Sequence, residues 1–373
     1  MEAINLSNLH EKNSRFRIIA GADDRLIDFV YAVDSLDAFD LSADEKEVSG
    51  YRTKAITTEY VKALYVEFED KTALIIAAQD NDIMQNYDVF NQSIAVVVNN
   101  QIRDEGKKNG IRLLAECDHE TFCSICVAHT WAIALVNSIE LDDAFAIQAQ
   151  NSFKHLLSNH KTIVGGNPFP ASKHLEYFSW IYYVELRAIR EIIEMTNKVK
   201  LHDVATNSAH FPLLINCLDE EQLFDLQFTE IICSDIHPEY GQQSIDNILS
   251  CFPEKDRRLD LIKLDLTQDN KLLEQADVII ANDILEHFHE EESFDVLCKL
   301  WARTKDLLLI HVPFEEIPTK AYGHLTSFNK EKLNQWASKL HGCENITDKY
   351  AHVASESYDP CFIDNFLFLK RYR

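Results

Sequence analysis

Glycine is scarce in this chain, with nine among 373 residues. No G-x-G-x-x-G turn follows any apolar run, and a dinucleotide-binding loop needs those glycines for its tight turn and for close approach to a pyrophosphate. That argues against a nicotinamide dehydrogenase. Basic residues are also in the minority: Lys+Arg 36 against Asp+Glu 61 gives a formal net charge of -25. Such a surface repels polyphosphate backbones and anionic bilayers, so neither nucleic acid nor membrane is the expected partner. No uninterrupted apolar run is long enough to span a bilayer, and the opening MEAINLSNLHEKNSR has no apolar core of signal-peptide length. Nine cysteines, an odd number scattered along the chain, fit reduced thiols in a cytoplasm.

What is present is an ordinary globular composition in a chain longer than one usual domain. Residues 1–160 read as a separate α+β or mostly helical N-terminal domain. Phe16 to Ile19, Ala63 to Phe68, Ala73 to Ala77 and Ile94 to Val98 fit short strands, while Lys54 to Leu64 also fits a helix. Lys107 to Gly110 reads as a turn, and Ile111 to Gln150 is rich in helix formers with an interruption at Asp142-Asp143. Cys117, His119, Cys123, Cys126 and His129 are close enough in sequence to suggest zinc or a cluster. Helical spacing on a face continuous with Trp131 to Val136 favours packing residues instead, so no metal is expected there.

Two glycines and two prolines in Gly165 to Pro170 break helix and strand alike and mark a boundary. Residues 161–198 are then a linker and an amphipathic helix, with Leu175, Phe178, Tyr182, Leu186, Ile189 and Ile193 at three- and four-residue steps. A stripe that long needs a large partner surface: the sheet domain, or the crevice it closes.

From residue 199 onward strands and helices alternate. Leu201 to Ala205, Glu230 to Ser234, Leu261 to Leu264, Val278 to Ala281 and Leu307 to Val312 read as strands. Phe211 to Leu218, Gly241 to Leu249, Asn270 to Gln275, Glu291 to Arg303 and Phe328 to Leu340 read as helices, and Asn345 to Val353 and Phe366 to Tyr372 as closing strands. Alternation implies a parallel sheet covered on both faces, and the terminal pair an antiparallel edge. The centre is Ala276 to Phe288, ADVIIANDILEHF, where a doubly buried apolar run breaks at Asn282-Asp283. Open α/β sheets bind ligands at such carboxyl ends.

In order and local sequence, residues 174–373 resemble the class I S-adenosylmethionine-dependent methyltransferases of small-molecule type, with a Rossmann-like doubly wound sheet. Asp235, ending Ile232-Cys233-Ser234-Asp235, stands where that family holds the ribose hydroxyls, with Ile236 next to it. Asp265 and Leu266 stand beside the adenine position. Asn282-Asp283-Ile284-Leu285-Glu286-His287 is similar to the segment under the methionine part of the cofactor. Tyr322-Gly323-His324 to Phe328 is similar to the family's later His-containing stretch. Asp203 is in place on the first strand, but Ala205, Asn207 and Ala209 occupy the three glycine positions. Asn tolerates the left-handed region and Ala adds only a methyl, so the resemblance implies a modified cofactor loop.

The function so implied is methyl transfer from S-adenosyl-L-methionine to an O, N, S or C nucleophile of a small-molecule acceptor. Asp203, Ala205, Asn207, Asp235, Ile236, Asp265, Leu266, Asn282 and Asp283 would bind cofactor, and His287 and His324 are the candidate general bases. Tyr322 and His311 rank lower, and Glu315-Glu316 is either an amine-recognition pair or a solvated one. The N-terminal region would cap the crevice or build a homodimer. Two readings of other kinds stay open: a catalytically silent subunit that uses the fold to bind a partner protein, and an enzyme that does different chemistry on the same cofactor.

Overall fold

The computed structural model describes residues 17–20, 27, 29–33, 36, 46–48, 51–68, 71–79, 92–116, 118–164, 174–193, 198–219, 222–252, 259–268, 273–313, 315–350 and 366–372. Its contacts divide into two units, Met1–Ser152 with Lys320–Gly323, and Phe153–Thr319 with His324–Arg373.

The first unit is an α+β structure. Strands β1 (Arg17–Ala20), β2 (Phe29–Val33), β3 (Lys46–Val48), β4 (Tyr51–Thr57), β5 (Val61–Phe68) and β6 (Lys71–Ala78) form one sheet in the order β1-β2-β6-β5-β4-β3. Only β2 and β6 run parallel. Helices α1 (Gln92–Lys108), α2 (Arg112–Ala115) and α3 (His119–Val136) follow, and α3 packs on β2 and β6. Two expectations fail here. Residues 54–64 are two strands joined through a turn in which the Thr58 hydroxyl accepts from the Val61 amide, not a helix. Ile94 to Val98 lies inside α1, not in a strand. Its β-branched residues favour extended chain, but Ala95, Val98, Asn99 and Ile102 are buried at helical spacing, and packing overrides propensity. The turn at Lys107 to Gly110 is present, with Gly110 at φ 69°.

Helix α4 (Leu141–Val164) has Asp142 and Asp143 in its first turn rather than at a break. The contact boundary falls within this helix, because Phe153, Leu156 and Leu157 join the second unit's core together with α5 (His174–Ile192). The Gly165 to Pro170 segment lies outside the described residues. The stripe expected on α5 is buried at Tyr182, Leu186, Ile189 and Ile193 and half-buried at Phe178.

The second unit is built on β7 (Lys198–Val204), β8 (Gln227–Asp235), β9 (Asp260–Lys263), β10 (Ala276–Asn282), β11 (Thr304–His311), β12 (Cys343–Asn345) and β13 (Phe366–Arg371). Their order is β12-β13-β11-β10-β7-β8-β9, with β7 to β11 parallel and β13 antiparallel to both neighbours. Helices α6 (His210–Cys217), α7 (Pro238–Leu249), α8 (Glu290–Arg303) and α9 (Lys330–Lys339) complete it. Val278 and Ile280 face one core, shared with α5, α6 and α7, and Ile279 and Ala281 face the other, shared with α8 and α9. Both faces are covered, which is why the run reads as continuously apolar. Leu273 to Gln275, the described part of the helix expected at 270–275, is not helical. The closing strand expected at Asn345 to Val353 is not formed: the strand there is Cys343–Asn345, residues 347–350 are helical, and 351–353 lie outside the described residues. No described helix is long and apolar enough to cross a membrane.

Candidate active site

Strand β7 lies between β8 and β10, so its carboxyl end is where the sheet's connections reverse direction, the position at which open α/β sheets bind ligands. The loop leaving it holds Ala205 at φ 56°, Asn207 at 46° and Ala209 at 54°. All three are in the left-handed region that glycine enters freely and alanine enters at a cost of roughly 1–2 kcal/mol. Tertiary bonds hold the turn: the Thr206 amide donates to the Ser234 carbonyl at 3.0 Å, and the Ala209 amide to the Thr206 carbonyl at 2.8 Å. Gly241 on α7 makes room for it, since a Cβ there would stand 2.8 Å from the Asn207 carbonyl oxygen.

The acidic residues end where the sequence suggests. Asp203 is buried and accepts from the Thr206 hydroxyl; burial raises its carboxyl to about 7, against that hydrogen bond. Asp235 ends β8 and accepts one amide on each oxygen, Asn207 at 2.9 Å and His237 at 2.8 Å. A carboxylate offers about four acceptor positions, so two remain for a vicinal diol. Ile236 is exposed beside it. Asp265 is tied to the Thr267 amide and hydroxyl and to the Gln268 amide nitrogen, which hold its carboxyl below the usual range. The Leu266 side chain packs in the core, leaving only its backbone for a ligand.

Beyond β10, the Asn282 side-chain amide donates to Glu185 of α5 at 3.3 Å. Asp283 sits at φ 49°, donates its amide to the His311 carbonyl at 3.0 Å, and meets His311 Nδ1 through Oδ1 at 2.8 Å. The other His311 nitrogen meets the Tyr177 hydroxyl. His311 thereby bridges α5 to the end of β10 inside the protein, a role its sequence gave no sign of.

His287 and His324 are brought together with a residue that sequence reading passed over. Glu286 Oε1 lies 4.0 Å from His287 Nε2 and 3.9 Å from His324 Nε2, and the two imidazoles cross edge to face at 5.1 Å between centroids. Glu286 is fully buried and neither carboxylate oxygen has a hydrogen-bond partner. Its carboxyl is held far above the usual range by burial, then by the negative Asp283 and Glu315. Two loop amides, Leu325 at 2.7 Å and Thr326 at 3.1 Å, fix the Glu286 carbonyl and so the backbone under the cluster. Glu315 is not a solvated surface residue: Oε2 accepts from the Thr319 amide and meets His324 Nδ1, both at 2.9 Å. A carboxylate on Nδ1 turns the opposite nitrogen, Nε2, toward Glu286 as an electron-pair donor.

One oxygen donor and two imidazoles within 4.8 Å of one another form, among the described residues, the group able to hold a metal ion. The carboxylate without partners, one half-exposed imidazole and an oriented second one suit a divalent cation. Among the described residues no such group forms in α3: Cys123 is exposed with His119 at 3.7 Å and Cys126 is half-buried, while Cys117 lies outside the described residues. His129, on the same helix, is entirely buried and lowered to about 3 by desolvation.

No protein-family model matches the chain, and no curated protein matches it. Solved structures do. A small RNA methyltransferase, HEN1, is similar at 18% identity over 52% of this chain, with TM-score 0.39; this chain spans 25% of that structure's length. An O-methyltransferase family protein from Burkholderia thailandensis is similar at 11% identity over 65% of this chain and 87% of its own, with TM-score 0.34. The magnesium protoporphyrin IX methyltransferase of Synechocystis is similar at 9% identity over 61% and 99%, with TM-score 0.37. On its own strand order, with the last strand reversed between its neighbours, the second unit has the fold of the class I S-adenosylmethionine-dependent methyltransferases.

Proposed function

We propose that this chain transfers the methyl group of S-adenosyl-L-methionine to a hydroxyl oxygen of a small-molecule acceptor. The observation that carries the reading is the β7 loop: three non-glycine residues hold a glycine-like path, beside an Asp235 with acceptor capacity to spare. Strain of that kind persists where the surroundings enforce it, and at this crevice the cofactor gives it a purpose.

Asp235 would hold the ribose, Ile236 and the Asp265–Leu266 backbone would flank the adenine, and Asp203, Asn282 and Asp283 would surround the methionine end. When bound, the cofactor supplies a methyl group already activated by sulfonium charge. The chain's own part is to align the acceptor and exclude water. Glu286, His287 and His324 would hold a divalent cation, which supplies Lewis acidity toward an acceptor oxygen. That preference narrows the nucleophile to oxygen, and it recasts the two histidines as ligands instead of general bases. Glu315 keeps His324 in the donor tautomer, and the fixed loop amides keep Glu286 in place.

The alanine methyls of the loop favour a second reading, a silent subunit that binds a partner protein. Calorimetric titration with S-adenosyl-L-methionine and S-adenosylhomocysteine separates the two. Binding that Asp235→Ala weakens by about 2 kcal/mol, the worth of charge-assisted hydrogen bonds, supports the enzyme. A folded protein with no affinity for either compound supports the silent reading.

A further inference from the structure

Helix α5 carries Glu185 over the carboxyl ends of β7 and β10. Its side chain is entirely buried; Oε2 accepts from Asn282 at 3.3 Å, and Oε1 has no hydrogen-bond partner. The charged groups acting on it are Asp203, from the end of β7, and Asp283, beyond β10, both of its own sign. Tyr182, one turn earlier on α5, is the remaining titratable neighbour, and the same three carboxyls act on it. Burial first, then those two carboxylates, hold the Glu185 carboxyl far above its usual range, against the Asn282 hydrogen bond. Such a placement favours the protonated acid until a cation pairs with it.

We infer that Glu185 is a cofactor-binding residue whose unpartnered oxygen accepts the α-ammonium group of the cofactor's methionine end. The inference rests on the cofactor reading above and adds to it a residue from outside the strand ends. Three observations converge on a cation at this spot. The carboxyl is buried with an open acceptor, its neighbours are acidic, and Asn282 ties it to the crevice at which the sheet's connections reverse. On binding, Glu185 gives its proton to solvent and its carboxylate pairs with the ammonium, so charge within the crevice is balanced.

The test is calorimetric titration of the full chain at pH 7 with S-adenosyl-L-methionine, S-adenosylhomocysteine and 5′-methylthioadenosine, which has the adenosine and sulfur but no ammonium group. Each titration is run in two buffers of different ionisation enthalpy to count protons. Glu185→Gln should bind the first two compounds about tenfold more weakly and methylthioadenosine unchanged, and should release about one proton fewer than wild type with the first two. The difference between the two proteins separates Glu185 from Asp203, whose carboxyl burial raises to about 7. Equal weakening for all three compounds, or unchanged affinity and proton release, would overturn the inference while leaving the cofactor reading intact. Failure of wild type to bind any of them would overturn both. Should Glu185→Gln not fold, the Asp203→Asn chain decides: release of about one proton with S-adenosylhomocysteine and none with methylthioadenosine supports the role, and equal release opposes it.

Discussion

Replacing Asp203 by Asn should stabilise the protein in the absence of ligands and weaken its hold on cofactor. Burial raises the Asp203 carboxyl from an ordinary 3.8 to about 7. A carboxyl raised in the folded state contributes stability that is complete below its unfolded pKa and is lost as pH rises through the folded one. Ionising it inside the protein therefore costs on the order of 4 kcal/mol by pH 7 to 8, an upper bound. Asn is a near-isostere of the protonated acid, and its oxygen can still accept from the Thr206 hydroxyl. The measurement is denaturant unfolding of both proteins from pH 5 to 8 by tryptophan fluorescence, in which Trp180, Trp301 and Trp336 report the second unit. The variant's advantage should widen by about 2 kcal/mol between pH 5 and 7 and level off above. S-adenosyl-L-methionine should narrow it, since binding favours the ionised wild type. Parallel pH curves, or a variant less stable at pH 8, would refute the reasoning.

Three further outcomes follow from the same geometry. Glu286→Gln should remove the thermal stabilisation by manganese or magnesium, about 2.7 kcal/mol at a hundredfold excess over Kd, while raising metal-free stability at neutral pH; an identical metal-induced rise in Tm for both proteins would count against the cation site. Gly241→Ala should push α7 from the Asn207 carbonyl, costing about 1–3 kcal/mol and weakening cofactor binding; an unchanged Tm and affinity would show that the loop yields freely. Ala205→Gly should relax the left-handed strain and raise stability by up to about 1 kcal/mol after the entropy glycine adds to the unfolded chain; a clear loss would place the strain elsewhere.

The strands were legible because β7, β10 and β11 and the carboxyl half of β8 are buried and bounded by polar residues, so apolar runs and strand ends coincide within a few residues. Asp203, Asp235, Asn282 and Asp283 were legible for the same reason: each lies at or just beyond a carboxyl end. The first unit was harder to read. In α1 a β-branched run is helical because its buried positions recur at three and four residues, and only the finished packing shows which periodicity wins. Glu185 and Tyr177 were out of reach, since they join Asn282 and His311 from 97 and 134 residues away. Glu286 had a weak signal, an acid inside Ile284-Leu285-Glu286-His287-Phe288 where apolar residues flank it. Its burial and its approach to His324 come from the fold.

The glycine-poor loop leaves open which nucleotide ligand such a sheet prefers, and charge supports the proposed one on independent grounds. In a dinucleotide-binding fold the first loop and the following helix start receive a pyrophosphate, so the loop offers amides and excludes acids. Here the crevice beside the loop contains Asp203 and Glu185, both buried, with Asp283 acting on Glu185. A pyrophosphate would bring further negative charge beside carboxyls that burial already holds above their usual range, in a medium of low dielectric that screens it poorly. S-adenosyl-L-methionine inverts the match, since it lacks phosphate and carries positive charge on sulfur and nitrogen. The acidic character extends past Asp283, which also acts on Glu286, and fits the divalent cation proposed on the acceptor side. On the proposed reading, a crevice acidic from β7 to the His324 loop would disfavour phosphate-bearing cofactors and favour cationic ones.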